Sequence, residues 1–229
     1  MVRADLADCL SAISDNHSSL FKKGLGTIQG ETAKLHTNRQ IHLRFCKPRP
    51  VPFSIREKVE VELERLEREG IVRKHQFSKW AASIVPVLKD NGAVIVCGEY
   101  KVTANQAVIV DTHPILRIED IFARIEDIFA KMAGGTLYMK LELSHAYLQL
   151  QLDDAAKEYL VINTQRGLYE NTQLPFGVSS APAMFQRTME SILQGLDQVA
   201  VYIDDIIGRS EEEHLKVLDE IFRDSRKVE

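Results

Sequence analysis

The sequence predicts an α+β fold, because segments with strand and helix patterns intermingle without the regular alternation of a parallel α/β sheet. Two features of the first half support this prediction: an amphipathic helix over residues 54–70 and a β-hairpin over residues 80–105. The second half contains further predicted strands and helices; they are strands over 136–143, 159–164, 167–173, 198–203 and 206–208, a helix over 180–195, and a terminal helix from about residue 210. With 229 residues and 45% hydrophobic side chains, the chain can bury the core of one or two domains.

Residues 54–70 have the spacing and the end signals of a helix. Ser54 and Glu57 form a capping-box pattern, and Gly70 is a stop signal at the other end. The apolar residues between them share one helical face; they are Ile55, Val59, Leu63 and Leu66. The pattern predicts a helix that buries this face and exposes a charged one.

The hairpin prediction rests on two runs of β-forming residues, 83–88 and 93–97. Asn91-Gly92 lies between them and is a strong turn signal. Trp80, at the foot of the hairpin, is predicted to anchor it by packing.

Residues 117–123, with the sequence Arg-Ile-Glu-Asp-Ile-Phe-Ala, are repeated identically at 124–130. Seven residues make nearly two helical turns, so a second copy lengthens a helix by about 10.5 Å and keeps its apolar stripe in phase. Two copies are too few for a repeat fold, and the pattern therefore predicts a local duplication.

Composition excludes several classes of protein. The three cysteines lack zinc-site spacing and support no disulfide framework, the first 20 residues lack a signal-peptide core, and no apolar run is long enough to span a membrane. We therefore expect an intracellular protein, in the cytoplasm or nucleus, that is not secreted and has no membrane partner. The charge is uneven, with 18 basic and 13 acidic side chains in residues 1–117 and 11 and 20 in residues 118–229.

Asp204 and Asp205 join two apolar strands. Two aspartates at such a position are typical of an exposed hairpin turn. Adjacent carboxylates also repel each other, however, and a Mg²⁺ ion can hold them together. A metal site would need a third carboxylate on a neighbouring strand, and Glu142 stands near the end of the strand predicted over 136–143. These residues alone leave both interpretations open.

Three ordered motifs resemble those of reverse transcriptases, the RNA-directed DNA polymerases, of gypsy-type LTR retrotransposons and related Pol polyproteins. They are residues 138–147 (Tyr-Met-Lys-Leu-Glu-Leu-Ser-His-Ala-Tyr), 174–186 (Leu-Pro-Phe-Gly-Val-Ser-Ser-Ala-Pro-Ala-Met-Phe-Gln) and 202–205 (Tyr-Ile-Asp-Asp). The order and spacing of the three motifs make the resemblance specific, and it extends to residues 48–53 and 97–101.

The resemblance implies the fingers and palm of a right-hand polymerase, with an antiparallel palm sheet backed by helices and the thumb absent. Residues 1–44 are then an irregular lead-in, and residues 45–229 form the reverse-transcriptase-like region. The fingers are expected over about 45–135 and 155–180, and the palm over about 136–154 and 181–222, with the chain truncated before the thumb.

The resemblance also implies functional residues. Glu142, Asp204 and Asp205 are expected to be the catalytic residues and the ligands of two Mg²⁺ ions, which assist attack of a primer 3′-OH on a dNTP. The expected partners are an RNA or DNA template-primer and a dNTP, and the oligomeric state is not implied. The expected substrate contacts are Tyr147 beneath the sugar, Phe176 and Gly177 beside the nascent base pair, Gln186 on the helix behind it, and Lys89 near the triphosphate. For Lys89, a solvated turn lysine is an equally good interpretation.

Four departures from the family pattern predict impaired activity. Glu142 stands where the family has Asp, which displaces the carboxylate by more than about 1 Å in a site whose two ions lie ~3.5–4 Å apart. Ile95 stands where the family usually has an Arg, which removes a bidentate cation from the triphosphate. The duplication and the missing thumb are the other two departures.

Three hypotheses follow. The chain is a nucleotidyltransferase of the RNA-directed DNA polymerase class with degenerate activity, or it is a non-catalytic retroelement remnant that at most binds nucleic acid weakly. Without the resemblance, it is a generic Mg²⁺-dependent enzyme or an interaction domain. The ordered motifs count against the third hypothesis, and the four departures favour the remnant over an active polymerase.

Overall fold

The computed structural model describes residues 25–38, 40–41, 44–109, 137–195, 199–203 and 205–210, together with Asp15. The chain divides into two compact units. The five-stranded unit comprises Glu31–Asp111 and Tyr147–Met184; the three-stranded unit comprises Met1–Gly30, Thr112–Ala146 and Phe185–Glu229. The duplicated segment, Asp204 and the predicted terminal helix lie outside the described residues.

Strands and helices intermingle along the chain, which confirms the α+β prediction. The strands are β1 (Thr32–Ala33), β2 (Val72–His75), β3 (Ala82–Leu88), β4 (Val94–Gly98), β5 (Leu137–Glu142), β6 (Gln151–Leu152), β7 (Val161–Thr164), β8 (Gly167–Asn171), β9 (Val199–Tyr202) and β10 (Asp205–Ser210). The helices are α1 (Phe53–Arg68), α2 (Ala104–Ala107), α3 (Asp154–Tyr159) and α4 (Ala181–Ile192), and 3₁₀ turns cover Tyr100–Val102 and Ala146–Gln149.

Helix α1 confirms the first predicted helix and buries Val59, Leu63 and Leu66. The capping-box prediction is wrong, because the helix begins at Phe53 and Pro52 occupies the N-cap position without a side-chain hydrogen bond. Pro52 has a φ of −51° and a ψ of 136°, the extended conformation typical of an N-cap residue. The chain therefore turns before Ser54, which lies inside the first turn.

The stop signal at the other end of α1 is confirmed. Gly70 has a φ of +72°, its N–H donates to the carbonyl of Glu67 at 3.1 Å, and the N–H of Ile71 donates to the carbonyl of Leu66 at 2.9 Å. These two bonds form a Schellman motif.

The larger sheet has the strand order β2-β8-β7-β3-β4. All its pairs are antiparallel except β3 with β7, and β3 with β4 is the predicted hairpin. Gly92 takes the positive φ of the hairpin turn, at +79°. Trp80 is buried, and its ring lies 5.2 Å from that of Tyr159, which confirms its packing role.

Several elements of the five-stranded unit were not predicted from the sequence. Strand β2 is one, and α2 is another, since residues 80–105 were expected to form a hairpin. A third is α3, whose N-cap Asp153 accepts a hydrogen bond from the N–H of Ala156 at 2.8 Å. The short parallel strands β1 and β6 were also not predicted. Through β1, part of the predicted lead-in pairs with residues far along the chain.

The smaller sheet is antiparallel, with the order β5-β10-β9. Within the same unit, the part of α4 from Phe185 onward buries Phe185 and Met189, and Gln186 bonds to the backbone of β9. This arrangement matches the expected antiparallel sheet backed by a helix. In the part of the chain that the structure describes, no helix has the length and apolar character needed to cross a membrane.

Candidate active site

Two predicted acidic residues lie side by side in the three-stranded sheet. Glu142 ends β5, Asp205 begins β10, and the two residues are direct partners in the antiparallel ladder. Residues paired in this way have Cβ atoms about 4.5–5.5 Å apart on the same face of the sheet. Glu142 is exposed and Asp205 is half-buried. The register therefore places a carboxylate beside Asp205, as the sequence suggested.

Lys140 adds a cation to this face of the sheet. It lies two residues before Glu142 on β5, and its Nζ is 2.9 Å from Oδ2 of Asp205. The lysine side chain is 57% exposed and the aspartate 29%. Ion pairs at such exposure contribute at most about 1 kcal/mol, so a stronger ligand for Asp205 can replace the lysine. The sequence held a signal for this contact, since residues two apart on a strand share a face.

The turn between β9 and β10 is tight and strained. Tyr202 and Asp205 pair directly, so two residues separate them, and the structure describes the first, Ile203. Two-residue hairpin loops of the favoured types need a positive φ at their first residue, and Ile203 has a φ of +55°. For a β-branched residue this conformation costs about 1–2 kcal/mol. The surrounding contacts must therefore hold the turn in place.

Gln186, on α4, supplies those contacts. Its Oε1 accepts from the N–H of Ile203 at 2.6 Å, and its Nε2 donates to the carbonyl of Val201 at 3.0 Å. Nε2 also donates to Oε1 of Glu190 at 2.7 Å. Gln186 is buried, with 6% of its surface exposed. The structure places this predicted substrate residue against the backbone of Val201 and Ile203, at the turn between β9 and β10.

Three other predicted residues lie together in the five-stranded unit. The rings of Tyr147 and Phe176 are 5.5 Å apart at an interplanar angle of 54°. Gly177 follows Phe176 in a loop and has a φ of +94°, a conformation that favours glycine. Tyr147 and Phe176 are both half-buried, so each keeps part of its surface open to solvent.

Lys89 and Ile95 both belong to the β3–β4 hairpin. Lys89 is exposed in its turn, where its N–H donates to the carbonyl of Ala93 at 2.8 Å. Ile95 pairs with Val87, which is 46% exposed, so an apolar pair stands where the resemblance implies an arginine.

The donor set suits a hard divalent cation. Glu142 and Asp205 offer carboxylate oxygens from adjacent strands, which Mg²⁺ prefers over nitrogen or sulfur. Among the residues that the structure describes, no group of three potential metal ligands is present. Asp204, the third expected ligand, lies outside them. The two described carboxylates therefore fit part of a Mg²⁺ site, with Lys140 as a competing cation.

Comparison with known proteins identifies the family. Residues 94–229, more than half of the chain, match the family model described as reverse transcriptase (RNA-dependent DNA polymerase). The chain belongs to this family. The match covers β4, the paired acidic residues and the Asp204-Asp205 turn.

Its curated relatives are much longer proteins. The chain is 39% identical over 214 residues to the uncharacterized protein K02A2.6 of Caenorhabditis elegans, an alignment that covers 92% of this chain and 16% of the relative. It is 29% identical over 219 residues to the retrovirus-related Pol polyprotein from transposon opus of Drosophila melanogaster, with 90% and 20% covered. The chain thus spans about a fifth or less of these relatives, and the second is a transposon Pol polyprotein.

Solved structures share the fold. The foamy viral protease-reverse transcriptase in complex with dsDNA superposes with a TM-score of 0.83 at 19% identity, covering 96% of this chain and 45% of that one. The same viral protein in complex with an RNA/DNA hybrid gives a TM-score of 0.82 at 18% identity, covering 96% and 29%. The chain therefore has the fingers-and-palm fold of reverse transcriptases.

Proposed function

We propose that the chain carries the nucleotidyl-transfer site of an RNA-directed DNA polymerase, which adds dNTPs to a primer 3′-OH with two Mg²⁺ ions, and that its activity is impaired. The observation that supports this most strongly is the pairing of Glu142 with Asp205, one residue from the strained turn. A structural hairpin has no need of two carboxylates opposite each other, since like charges in that position destabilise a sheet.

Glu142, Asp204 and Asp205 would hold the metal ions. When bound, Mg²⁺ supplies charge stabilisation for the phosphoryl oxygens and the attacking and leaving oxygens of an in-line displacement. Within the protein, Gln186 fixes the backbone before the aspartates, and the β5–β10 ladder fixes Glu142. Positioning of this kind is most of what a protein contributes to phosphoryl transfer.

Two of the four departures are single side chains that the structure describes. Glu142 carries one more methylene than the aspartate of the family and is exposed, so its carboxylate is both displaced and less restrained. Ile95 leaves the hairpin without the arginine guanidinium group that would bind a triphosphate through two hydrogen bonds. Lys89, exposed in the turn of the same hairpin, is the remaining proposed triphosphate contact.

The proposed partners are a template-primer and a dNTP. The solved relatives named for complexes with dsDNA and with an RNA/DNA hybrid support a nucleic-acid partner. Three basic side chains of the five-stranded unit are more than half exposed, each paired with one glutamate, and a phosphate backbone could compete for them; they are Arg49, Arg73 and Lys74. Tyr147 and Phe176 form the proposed contact with the sugar and base of the nucleotide.

A non-catalytic remnant is the second candidate. The Lys140–Asp205 ion pair favours it, because it gives one acidic residue a partner that needs no metal. The two candidates differ in what repair of the site should achieve. A polymerase with two lesions regains activity when they are reversed, whereas a remnant does not.

Primer extension on an RNA template, with Mg²⁺ or Mn²⁺, tests the proposal. We expect weak, distributive extension by the unaltered chain, a modest gain with Glu142→Asp, and a larger gain when Ile95→Arg is added. Asp204→Asn in the repaired background should abolish extension and serves as the negative control.

The possible outcomes separate the candidates. Processive synthesis by the unaltered chain would contradict the impairment, and strong synthesis by Glu142→Asp alone would show that Ile95 matters little. A doubly repaired chain that folds but extends no primer would overturn the proposed function in favour of the remnant.

A further inference from the structure

Asn105, in α2 of the five-stranded unit, holds a distant loop with both ends of its amide. Its Nδ2 donates to the carbonyl of Gly177 at 2.8 Å, and its Oδ1 accepts from the N–H of Ser179 at 2.9 Å. Both distances are those of well-formed hydrogen bonds. The side chain thus satisfies one acceptor and one donor of residues 177–179, as a neighbouring strand would.

The loop lies close against the backbone of another segment. A Cβ on Gly177 would lie 3.0 Å from the carbonyl oxygen of Gly98 and 3.5 Å from the ring of Tyr100. The positive φ of Gly177 further limits the loop to a conformation that glycine adopts easily. Because a glycine can also leave this conformation easily, the restraint on the loop must come from its neighbours.

The surface beneath the loop is rigid. A Cβ on Gly98 would overlap the ring of Tyr100, so that ring lies directly over Gly98. Tyr100 is 1% exposed, and its hydroxyl accepts from Nδ2 of Asn171 at 3.0 Å. Burial raises the pKa of Tyr100 well above its usual value, so the hydroxyl stays neutral. The loop is thus seated on a fixed base, and Asn105 adds the two bonds that fix its direction.

The residue before the loop, Phe176, is one of the two proposed contacts of the nucleotide. Phe176 precedes Gly177, and its ring contacts Tyr147. We propose that Asn105 is a positioning residue for sugar selection: by fixing residues 177–179 it holds Phe176 against Tyr147 and so restricts the space available to a ribose 2′-OH. This inference rests on the proposed function, in which Tyr147 lies beneath the dNTP sugar.

A purely structural role predicts a different result. Loss of a stabilising amide would weaken the binding of dATP and ATP equally, or only lower the melting temperature. Loss of a positioning residue instead changes the ratio of the two affinities, because ATP differs from dATP only by the 2′-OH. We expect Asn105→Ala to lower the preference for dATP over ATP by about five- to tenfold, the scale of one lost hydrogen bond.

The experiment uses the full chain with an RNA template and a chain-terminated DNA primer, so that nucleotides bind without reacting. Fluorescent dATP and ATP are titrated in Mn²⁺, and amide hydrogen exchange at Ser179 is measured on the same samples. Asn105→Asp is the second variant, since its carboxylate still accepts from the Ser179 N–H but cannot donate to Gly177. Asn38→Ala is the matched control, because Oδ1 of Asn38 accepts from the N–H of Gln40 at 3.0 Å in an exposed loop of the same unit.

We expect Asn105→Ala to speed exchange at Ser179 by at least about tenfold and to reduce the dATP preference. Asn105→Asp should keep Ser179 protected and give an intermediate preference, and Asn38→Ala should change neither. Faster exchange with an unchanged preference would overturn the role in sugar selection, and unchanged exchange would show that Asn105 does not fix residues 177–179. Binding of neither nucleotide by the unaltered chain would overturn the proposed function and sugar selection with it. The exchange data would still decide whether Asn105 fixes residues 177–179.

Discussion

Two loops, one in each unit, are held by amide side chains in the same way. In the three-stranded unit, Gln186 donates to the carbonyl of Val201 and accepts from the N–H of Ile203. In the five-stranded unit, Asn105 donates to the carbonyl of Gly177 and accepts from the N–H of Ser179. Each loop contains a residue with positive φ, at +55° for Ile203 and +94° for Gly177.

The loops differ in strain and in burial. Ile203 is β-branched and strained at positive φ, whereas Gly177 is relaxed there. Gln186 is buried, whereas Asn105 is half-buried. The first amide therefore maintains a conformation that the chain resists, and the second fixes a loop whose positive-φ residue carries no such strain. Removal of the first amide should cost stability, and removal of the second should mainly cost specificity.

The largest expected effect is that of Gln186→Ala, which leaves the Ile203 N–H and the Val201 carbonyl without their partner. Unpaired buried groups cost about 1–3 kcal/mol each, so for the two groups we expect a loss of about 2–6 kcal/mol in the free energy of unfolding. Thermal and urea unfolding followed by circular dichroism measure this loss.

Gln106→Ala is the matched control for that variant. Gln106 is exposed and donates to the carbonyl of Lys101 at 2.7 Å, so its removal should cost less than about 0.5 kcal/mol. Equal effects of the two substitutions would show that the buried amide does not hold the turn.

The next effect is that of Gly177→Ala, which introduces the strain that the second loop lacks. A φ of +94° costs a residue with a Cβ about 1 kcal/mol or more, and the 3.0 Å approach to the Gly98 carbonyl adds to it, for a total of about 2 kcal/mol. Unfolding followed by the fluorescence of Trp80, the only tryptophan of the chain, reports on the same unit.

Gly167→Ala separates strain from contact in that test. Gly167 has a φ of +107°, and a Cβ there would meet nothing within 4 Å, so the variant should lose only about 1 kcal/mol. A loss as large as that of Gly177→Ala would mean that the approach to Gly98 carries no cost.

The smallest effect is that of Lys140→Met, which removes the cation paired with Asp205. A competing positive charge is then lost, and Mn²⁺ affinity should rise about three- to tenfold, in line with the ~1 kcal/mol of an exposed ion pair. Lys74→Met is the control, because Lys74 is a strand lysine of similar exposure, 65%, paired with Glu67 in the other unit. Weaker Mn²⁺ binding by Lys140→Met would mean that the lysine supports the site.

Signals within a few residues of each other predicted much of the fold. The Asn91-Gly92 turn, the apolar face of α1 and the stop at Gly70 all act locally, and the structure confirms them. The predicted start of α1 is one residue late, because Pro52 takes the N-cap position in place of Ser54. Helix α3 was missed, although Asp153 is a strong N-cap residue.

The candidate site was predictable only in part. The acidic residues were found because the motifs that contain them are themselves local. Asn105 was not, since 72 residues separate it from Gly177 and no local pattern links them. The strain at Ile203 was likewise hidden, because it follows from the register that pairs Tyr202 with Asp205. The first feature depends on a contact between residues far apart in the chain, and the second on the exact register of a local hairpin.

Mn²⁺ titration of the unaltered chain, followed by electron paramagnetic resonance of the free ion, tests the proposed metal site most directly. The proposed site predicts saturable binding of two ions and at least about tenfold weaker binding by Asp205→Asn. Asp154→Asn, which removes an aspartate that is 96% exposed in the other unit, should leave binding unchanged. Absence of saturable binding, or equal behaviour of the two variants, would contradict the metal site.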